Sequence, residues 1–333
     1  MLSIGVDHHS TSSHLTICDQ EGSVVLSKRI PSNREELARI ISRYDEPKQA
    51  VLEAGYNWGR MYDWLDELVD EVFLAHPQKL RAIAEARIKN DKIDSEILAQ
   101  LLRSNLIPPA FAFSRENRAV KRVLRQRMFL VKLRTMLKNR IHALLMQHEI
   151  EKPKLTDLFG TRGMAWLQAL ELPYPDDAIF REDLVLLHEV TSRIGNTESL
   201  LEEIARKDPV VFRLRSIPGI GKYFSILIRY EVEDMSRFPT PKKFASYAGL
   251  IPSTHSSGER TYHGRITKQG NKYLRWALVE AVTGAIRVSP QLRTFYEKLK
   301  KRKGVKEAQI ATARKLAEII WHVWNEDRLY EIR

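Results

Sequence analysis

The first hundred residues alternate between two hydrophobic periods. Leu2, Ile4 and Val6 recur at every second position and run into Asp7, the pattern of a strand with one buried face. His14 to Cys18 reads as a second strand, Asp19-Gln20-Glu21-Gly22 as a hairpin turn, and Val24 to Ile30 as a third strand. The period then lengthens. Ser32 or Asn33 can cap a helix that runs through Glu35, Leu37, Ile40 and Ile41. Ala50 to Glu53 is a short apolar strand stopped at Gly55, and Trp58 to Val69 a helix with Trp58, Tyr62 and Leu65 on one side. Val72 to Ala75 is a fifth strand, ended by His76-Pro77. Helices follow over Gln78 to Ala86 and Asp91 to Leu102; in the latter, Ile93, Ile97, Leu98, Leu101 and Leu102 share one helical face. The order is a three-strand meander, then helix, strand, helix, strand, helix.

Beyond residue 110 the pattern is helical. Ser114 to Glu149 holds neither proline nor glycine and reads as one long helix or two in line, with a partial stripe of Leu124, Val131, Leu133, Leu137, Ile141 and Leu144. Lys152 to Asp177, with Pro153, Pro173, Pro175, Gly160 and Gly163, looks like a connection. In the helix expected over Ala178 to Arg206, Leu184, Leu187, Ile194, Leu200, Leu201 and Ile204 suit a coiled-coil or dimer stripe, and equally ordinary helix packing. Ser216 to Lys222 is a glycine-containing turn before an apolar helix, Tyr223 to Tyr230. After a helix at Lys242 to Ala248 come Gly249-Leu250-Ile251-Pro252, a polar, loop-like Ser253 to Arg260, and a helix over Lys272 to Arg287.

Charge adds a partner. The 333 residues carry 54 Lys and Arg against 42 Asp and Glu, a net +12, which points to a polyanion and most directly to nucleic acid. Basic membrane-surface proteins share that balance, but the chain shows no lipidation motif and no apolar run long enough to span a bilayer. Met1-Leu2-Ser3-Ile4 lacks the features of a signal peptide, so we expect a soluble, cytoplasmic protein without a membrane partner. A lone Cys18, expected to be buried in its strand, excludes an intramolecular disulfide and a cysteine-cluster zinc site. From Arg115 to Arg140 ten basic residues face one acid, Glu116. Solvated helices normally mix signs, so Arg118, Lys121, Arg122 and Arg125 are candidates for contact with a nucleic-acid backbone, giving affinity and salt dependence without sequence reading. Gly219, Gly221 and Lys222 stand where a glycine turn can present backbone N–H groups to phosphate at a helix start.

Four acids carry the candidate chemistry. Asp91 and Asp94 lie three apart on the first turn of their helix. Such a pair can be merely solvated and favoured by the helix dipole, or can share a cation that relieves its repulsion. Asp7 and Glu53, each ending an apolar strand, favour the second reading. His8 and His9 follow Asp7 directly; one can lie near the site, but an exposed or core position is the expectation for both. The strand and helix order, with acids on the first and fourth strands and on a late helix, resembles the ribonuclease H-like layout in its RuvC-type version. That resemblance assigns Asp7, Glu53, Asp91 and Asp94 to two Mg²⁺ or Mn²⁺ ions, which in phosphoryl transfer stand about 4 Å apart, and oxygen donors suit those ions.

Taken whole, the chain resembles the DEDD transposases of the insertion sequence 110 family, the bridge-RNA-guided recombinases. At the front the four acids match, with Lys89-x-Asp91-x-x-Asp94 the most specific part. At the back Ile217-Pro218-Gly219-Ile220-Gly221, Arg237-Phe238, Tyr247-Ala248-Gly249-Leu250-x-Pro252, Ser257-Gly258 and Lys268-x-Gly270-Asn271 follow in the family's order. The resemblance implies an α/β plus α chain: a RuvC-like DEDD catalytic domain over 1–110, a basic helical or coiled-coil linker over 111–207, and over 208–333 a mostly α transposase domain with a helix-hairpin-helix-like motif. It also implies a nucleophilic Ser257, with Ser253 and Ser256 nearby, a covalent serine–DNA intermediate, double-stranded donor and target DNA, and a noncoding bridge RNA. A homodimer and a tetrameric synapse in a bacterial or archaeal cell, close to the nucleoid when active, belong to the same expectation. Arg265 and Lys268 are further candidates for offsetting phosphate charge. The competing reading is a metal-dependent Holliday-junction nuclease of RuvC type, which keeps the four acids but cleaves with water.

Overall fold

The computed structural model describes residues 1–83, 90–257 and 260–331, excluding the side chains of 254–263 and 265. The chain divides into two compact units, Met1–Arg115 and Glu116–Arg333; the expected C-terminal region and the expected linker from residue 116 onward fall in the second.

The first unit is mixed α/β. Its elements are β1 (Leu2–His8), β2 (Ser12–Cys18), β3 (Val24–Pro31), α1 (Arg34–Ile41), β4 (Lys48–Glu53), α2 (Trp58–Asp66), β5 (Glu71–Ala75), α3 (Pro77–Ile83) and α4 (Asp91–Arg103). The sheet order is β3-β2-β1-β4-β5. The first three strands form the expected antiparallel meander, and β4 and β5 join in parallel. Period-two alternation separates the two faces of β1. Ile4 and Val6 join Leu15, Ile17 and Leu52 against Leu37 and Ile40 of α1 and Met61 and Leu65 of α2. The opposite face carries α4. A Cβ on Gly5 would meet the Ser95 carbonyl oxygen at 2.0 Å and the Ala99 nitrogen at 2.5 Å, so only glycine lets α4 lie this close to β1. Thr16 and Ser95 exchange a buried hydroxyl contact at 2.8 Å across the same seam. Cys18 is fully buried at the end of β2, and Gln100 of α4 donates to its sulfur at 3.6 Å.

The second unit holds α5 (Arg115–Gln147, whose first residue belongs to the other unit), α6 (Thr161–Ala169), α7 (Asp176–Ala205), α8 (Pro209–Arg215), α9 (Lys222–Val232), α10 (Pro241–Tyr247), β6 (Pro252–Ser257), β7 (Arg260–Ile266), α11 (Lys272–Val288), α12 (Pro290–Lys303) and α13 (Val305–Asn325). The uninterrupted α5 agrees with its lack of helix breakers. The supposed connection at 152–177 contains a helix, α6, whose Leu167 joins the core; the flanking Pro153, Pro173 and Pro175, with Gly160 at its N-cap and Gly163 in its first turn, hide its short period. On α7, Leu184, Leu187 and Ile194 pack against Leu130, Leu137 and Ile141 of α5, and Leu201 against Leu124. That part of the stripe is therefore used within the chain, while Leu200 and Ile204 stay exposed.

The segment expected as a polar loop, Ser253 to Arg260, is instead largely strand: β6 and β7 pair antiparallel, with Pro252 opposite Ile266 and Ser257 opposite Arg260. Polar residues at nearly every position of β6 conceal the alternation that usually betrays a strand. The hairpin returns to α11 through a tight turn in which Lys268 and Gly270 have positive φ, 54° and 112°. A Cβ at Gly270 would meet the Tyr247 carbonyl oxygen at 2.3 Å, which gives this motif glycine a packing role.

Candidate metal centre

Local backbone chemistry fixes each side chain of the cluster. Asp7 lies near the end of β1 on the face that carries α4. Asn90 caps α4, its side-chain oxygen accepting the Lys92 N–H at 3.0 Å, and this places Asp91 and Asp94 in the first turn, where the helix dipole favours negative charge. Because Gly5 draws α4 onto β1, that turn arrives beside Asp7. His9, two residues beyond Asp7, falls on the same side. Its Nε2 stands 3.2 Å from Asp7 Oδ2 and 3.5 Å from Asp91 Oδ1. Donor atoms of Asp7, His9 and Asp91 all lie within 4.8 Å of one another.

Electrostatics ties Asp94 to the group. Burial holds the Asp7 carboxyl above its ordinary value; His9 opposes the rise, while Asp91 and Asp94 add to it. Two further acids that make Asp7 harder to ionise form with it a site that gains from a cation. The donor set of two carboxylates and an imidazole, partly open to solvent, is chemically suited to a divalent metal. His14, paired with Asp7 across β1 and β2, turns its Nε2 to Ser27 Oγ at 3.0 Å, and burial lowers its pKa against the opposing charge of Asp91. Glu53 ends β4, directly after the Leu52 that pairs with Val6, so it shares the sheet edge of Asp7. It is exposed and stands outside the three-residue cluster.

Of the two histidines after Asp7 that the sequence allowed near the site, it is His9 that lies there, as its spacing of two from Asp7 could have indicated. His8, in contrast, faces the opposite side and contacts Ser13 Oγ through Nδ1 at 2.9 Å. Lys89 and Gly258 lie outside the described residues, as do the side chains of Ser256, Ser257 and Arg265; Ser257 is described only as the last backbone position of β6. Ser253 is half-buried and Lys268 exposed.

The basic and glycine candidates divide by what they touch. Glu231 of α9, 1% exposed, is paired with both Arg125 and, at 3.4 Å, Lys121. It also accepts from Asn271 Nδ2 at 2.7 Å, while Asn271 Oδ1 caps α11 at the N–H groups of Tyr273 and Leu274. Burial pushes the Lys121 ammonium below its usual value, and Glu231 opposes the shift. Lys121 and Arg125 thus serve an internal carboxylate that the sequence reading did not single out. Its signal was a lone acid within an apolar helix. Arg122 is exposed and Arg118 half-buried on the same helix. At Gly219 a Cβ would meet the Ala281 carbonyl oxygen at 2.2 Å and the Ala285 nitrogen at 2.7 Å, so helix packing alone demands that glycine. Gly221 faces open space at the start of α9, and Lys222 pairs with Glu202 at 3.0 Å.

Two family profiles match the chain: a DEDD-type transposase profile over residues 4–150, and the transposase IS116/IS110/IS902 family over 212–297. The transposase of insertion sequence element IS1328 from Yersinia enterocolitica is 26% identical over 98% of both chains. That of IS1111A from Coxiella burnetii is 25% identical, spanning 98% of this chain and 90% of the relative. A pilin gene-inverting protein of Moraxella bovis is 28% identical over 85% of this chain and 82% of its own length.

Proposed function

Because the chain belongs to the IS110 family of insertion-sequence transposases, we propose that it cuts and rejoins DNA with two cooperating centres, one carboxylate-based and one built on a serine. The functional division is 1–110 for the RuvC-like catalytic domain, 111–207 for the basic linker and 208–333 for the serine-bearing domain. The antiparallel β3-β2-β1 meander extended by parallel β4 and β5 supports the ribonuclease H-like reading. The observation that carries the proposal is the convergence of Asp7, His9 and Asp91, with Asp94 beside them, at the junction of β1 and α4.

In this reading Asp7, Glu53, Asp91 and Asp94 would hold two Mg²⁺ or Mn²⁺ ions beside the scissile phosphate. When bound, such ions supply Lewis acidity and offset phosphate charge. The Ser257 hydroxyl oxygen attacks phosphorus, forming an Oγ–P bond and breaking the bond from phosphorus to the 3′ oxygen, which leaves and takes up the proton. The product is a 5′-phosphoserine and a free 3′ hydroxyl, and attack by another 3′ hydroxyl reverses the step and rejoins the strands. A relative named for inverting a pilin gene fits this cut-and-rejoin class. A noncoding bridge RNA selects donor and target, and the exposed basic residues of α5, with Gly221, Arg265 and Lys268, contact nucleic-acid backbone. A homodimer and tetrameric synapse bring the two centres together.

The test is a denaturing gel of the protein with labelled cognate DNA and its copurified RNA, followed by peptide mapping. Asp91→Asn should abolish cleavage with the fold intact, and Ser257→Ala should abolish both cleavage and the covalent adduct while metal binding persists. Full cleavage by Ser257→Ala without an adduct would identify the water-using nuclease instead.

A further inference from the structure

We propose that His9 is a direct ligand of the metal centre and that its imidazole biases the site toward Mn²⁺ over Mg²⁺. The inference rests on the carboxylate-metal reading above and goes beyond it by adding a nitrogen donor to the four acids. Two donors at right angles on an ion with bonds of about 2.1 Å stand about 3 Å apart. His9 Nε2 stands 3.2 and 3.5 Å from the oxygens of Asp7 and Asp91, close to the spacing of neighbouring ligands, and all three donors lie within 4.8 Å of one another.

The rest of the ring's surroundings agree. The His9 side chain is 55% exposed, at the mouth of the cluster rather than in a core. Among the described residues its ring makes no hydrogen bond or ion pair besides those with the two carboxylates. His8 and His14, one residue before and across the sheet, are committed to Ser13 and Ser27, which leaves His9 as the imidazole aimed at the acids. Mg²⁺ is hard and keeps oxygen ligands and water; Mn²⁺ also favours carboxylates and water but, as a transition ion, accepts an imidazole nitrogen more readily than Mg²⁺ does. The alternative is a plain ion pair, in which a protonated His9 occupies the place of the cation and an arriving metal must displace it. The two arrangements predict opposite effects of removing the ring.

The experiment uses the full chain with Mn²⁺ alone. Free Mn²⁺ is followed by its paramagnetic resonance signal, bound Mn²⁺ by pulsed measurement of coupling to nitrogen, and Mg²⁺ by competition. We expect coupling from a directly bound imidazole nitrogen in the native chain and in His14→Gln, and none in His9→Gln. That variant should lose about tenfold or more in Mn²⁺ affinity and less than about threefold in Mg²⁺ affinity. The exposed position of His9 makes the substitution compatible with folding, which circular dichroism checks. Nitrogen coupling that persists in His9→Gln, or equal or tighter Mn²⁺ binding by that variant, would overturn the assignment. Mn²⁺ bound without nitrogen coupling and lost in Asp91→Asn would remove His9 while keeping the carboxylate centre. No Mn²⁺ binding by the native chain would sink both.

Discussion

At the scale of single residues, the chain uses carboxylates in two opposite ways. Asp7 is raised above its ordinary value by burial and by Asp91 and Asp94, so its ionisation costs more in the folded, metal-free chain than in the unfolded one. Its contribution to stability is present below the unfolded value and is lost as pH rises through the folded one. Metal-free protein should therefore lose thermal stability as pH climbs above the ordinary carboxylate range, and Asp91→Asn should flatten that decline. Melting curves from pH 4 to 7, with and without Mg²⁺, check both, and added metal should stabilise more at pH 7. Glu231 is the reverse case, a buried carboxylate already neutralised by Lys121 and Arg125. Glu231→Ala removes the buried carboxylate that faces Lys121 and Arg125 and one of the two acceptors of Asn271 Nδ2, and should cost roughly 3 kcal/mol in urea unfolding. The two kinds of acid were unequally legible. Asp91 and Asp94 announce themselves by spacing at a helix start, whereas Glu231 depends on partners more than a hundred residues away in sequence.

At the scale of elements, the decisive contact is α4 against β1. Gly5→Ala inserts a methyl where the Ser95 carbonyl and Ala99 nitrogen stand. Overpacking of this kind costs about 1–3 kcal/mol, and α4 must move away from the sheet to relieve it. We expect weaker Mn²⁺ binding in Gly5→Ala although every acid is retained, measurable by the same titration as above. Strands and helices of the first unit were readable because each has one apolar face and clear punctuation. The glycine that governs their separation was not, since its necessity comes from an element ninety positions later. The β6–β7 hairpin escaped for a different reason: a strand polar on both faces carries no period. Its neighbour, the Lys268–Asn271 turn, shows motif residues with structural duties of their own, Gly270 in packing against Tyr247 and Asn271 in capping α11.

At the scale of the whole molecule, a net charge of +12 is not spread over interchangeable cations. Basic residues that neutralise internal acids cannot release counterions on binding DNA or RNA. Arg122→Gln should reduce the salt dependence of nucleic-acid binding by about one unit of slope. Lys121→Gln should leave that slope unchanged and lower stability instead, through Glu231. Binding isotherms between low and moderate salt, paired with urea titrations, distinguish the two. Composition alone identified the class of partner, but only the fold separates cations facing solvent from those facing Glu231.

Cys18 offers a practical opening. It is fully buried, and burial together with Glu96 and Asp19 holds its thiol above the usual value, so thiolate-selective reagents find a poor target in the folded chain. A cysteine introduced at an exposed position such as Arg122 would then be the preferred site of attachment for a fluorophore or a photo-crosslinker. The native sequence thus serves as its own silent background, and contacts with DNA or RNA can be mapped one surface position at a time without first removing a residue from the sheet.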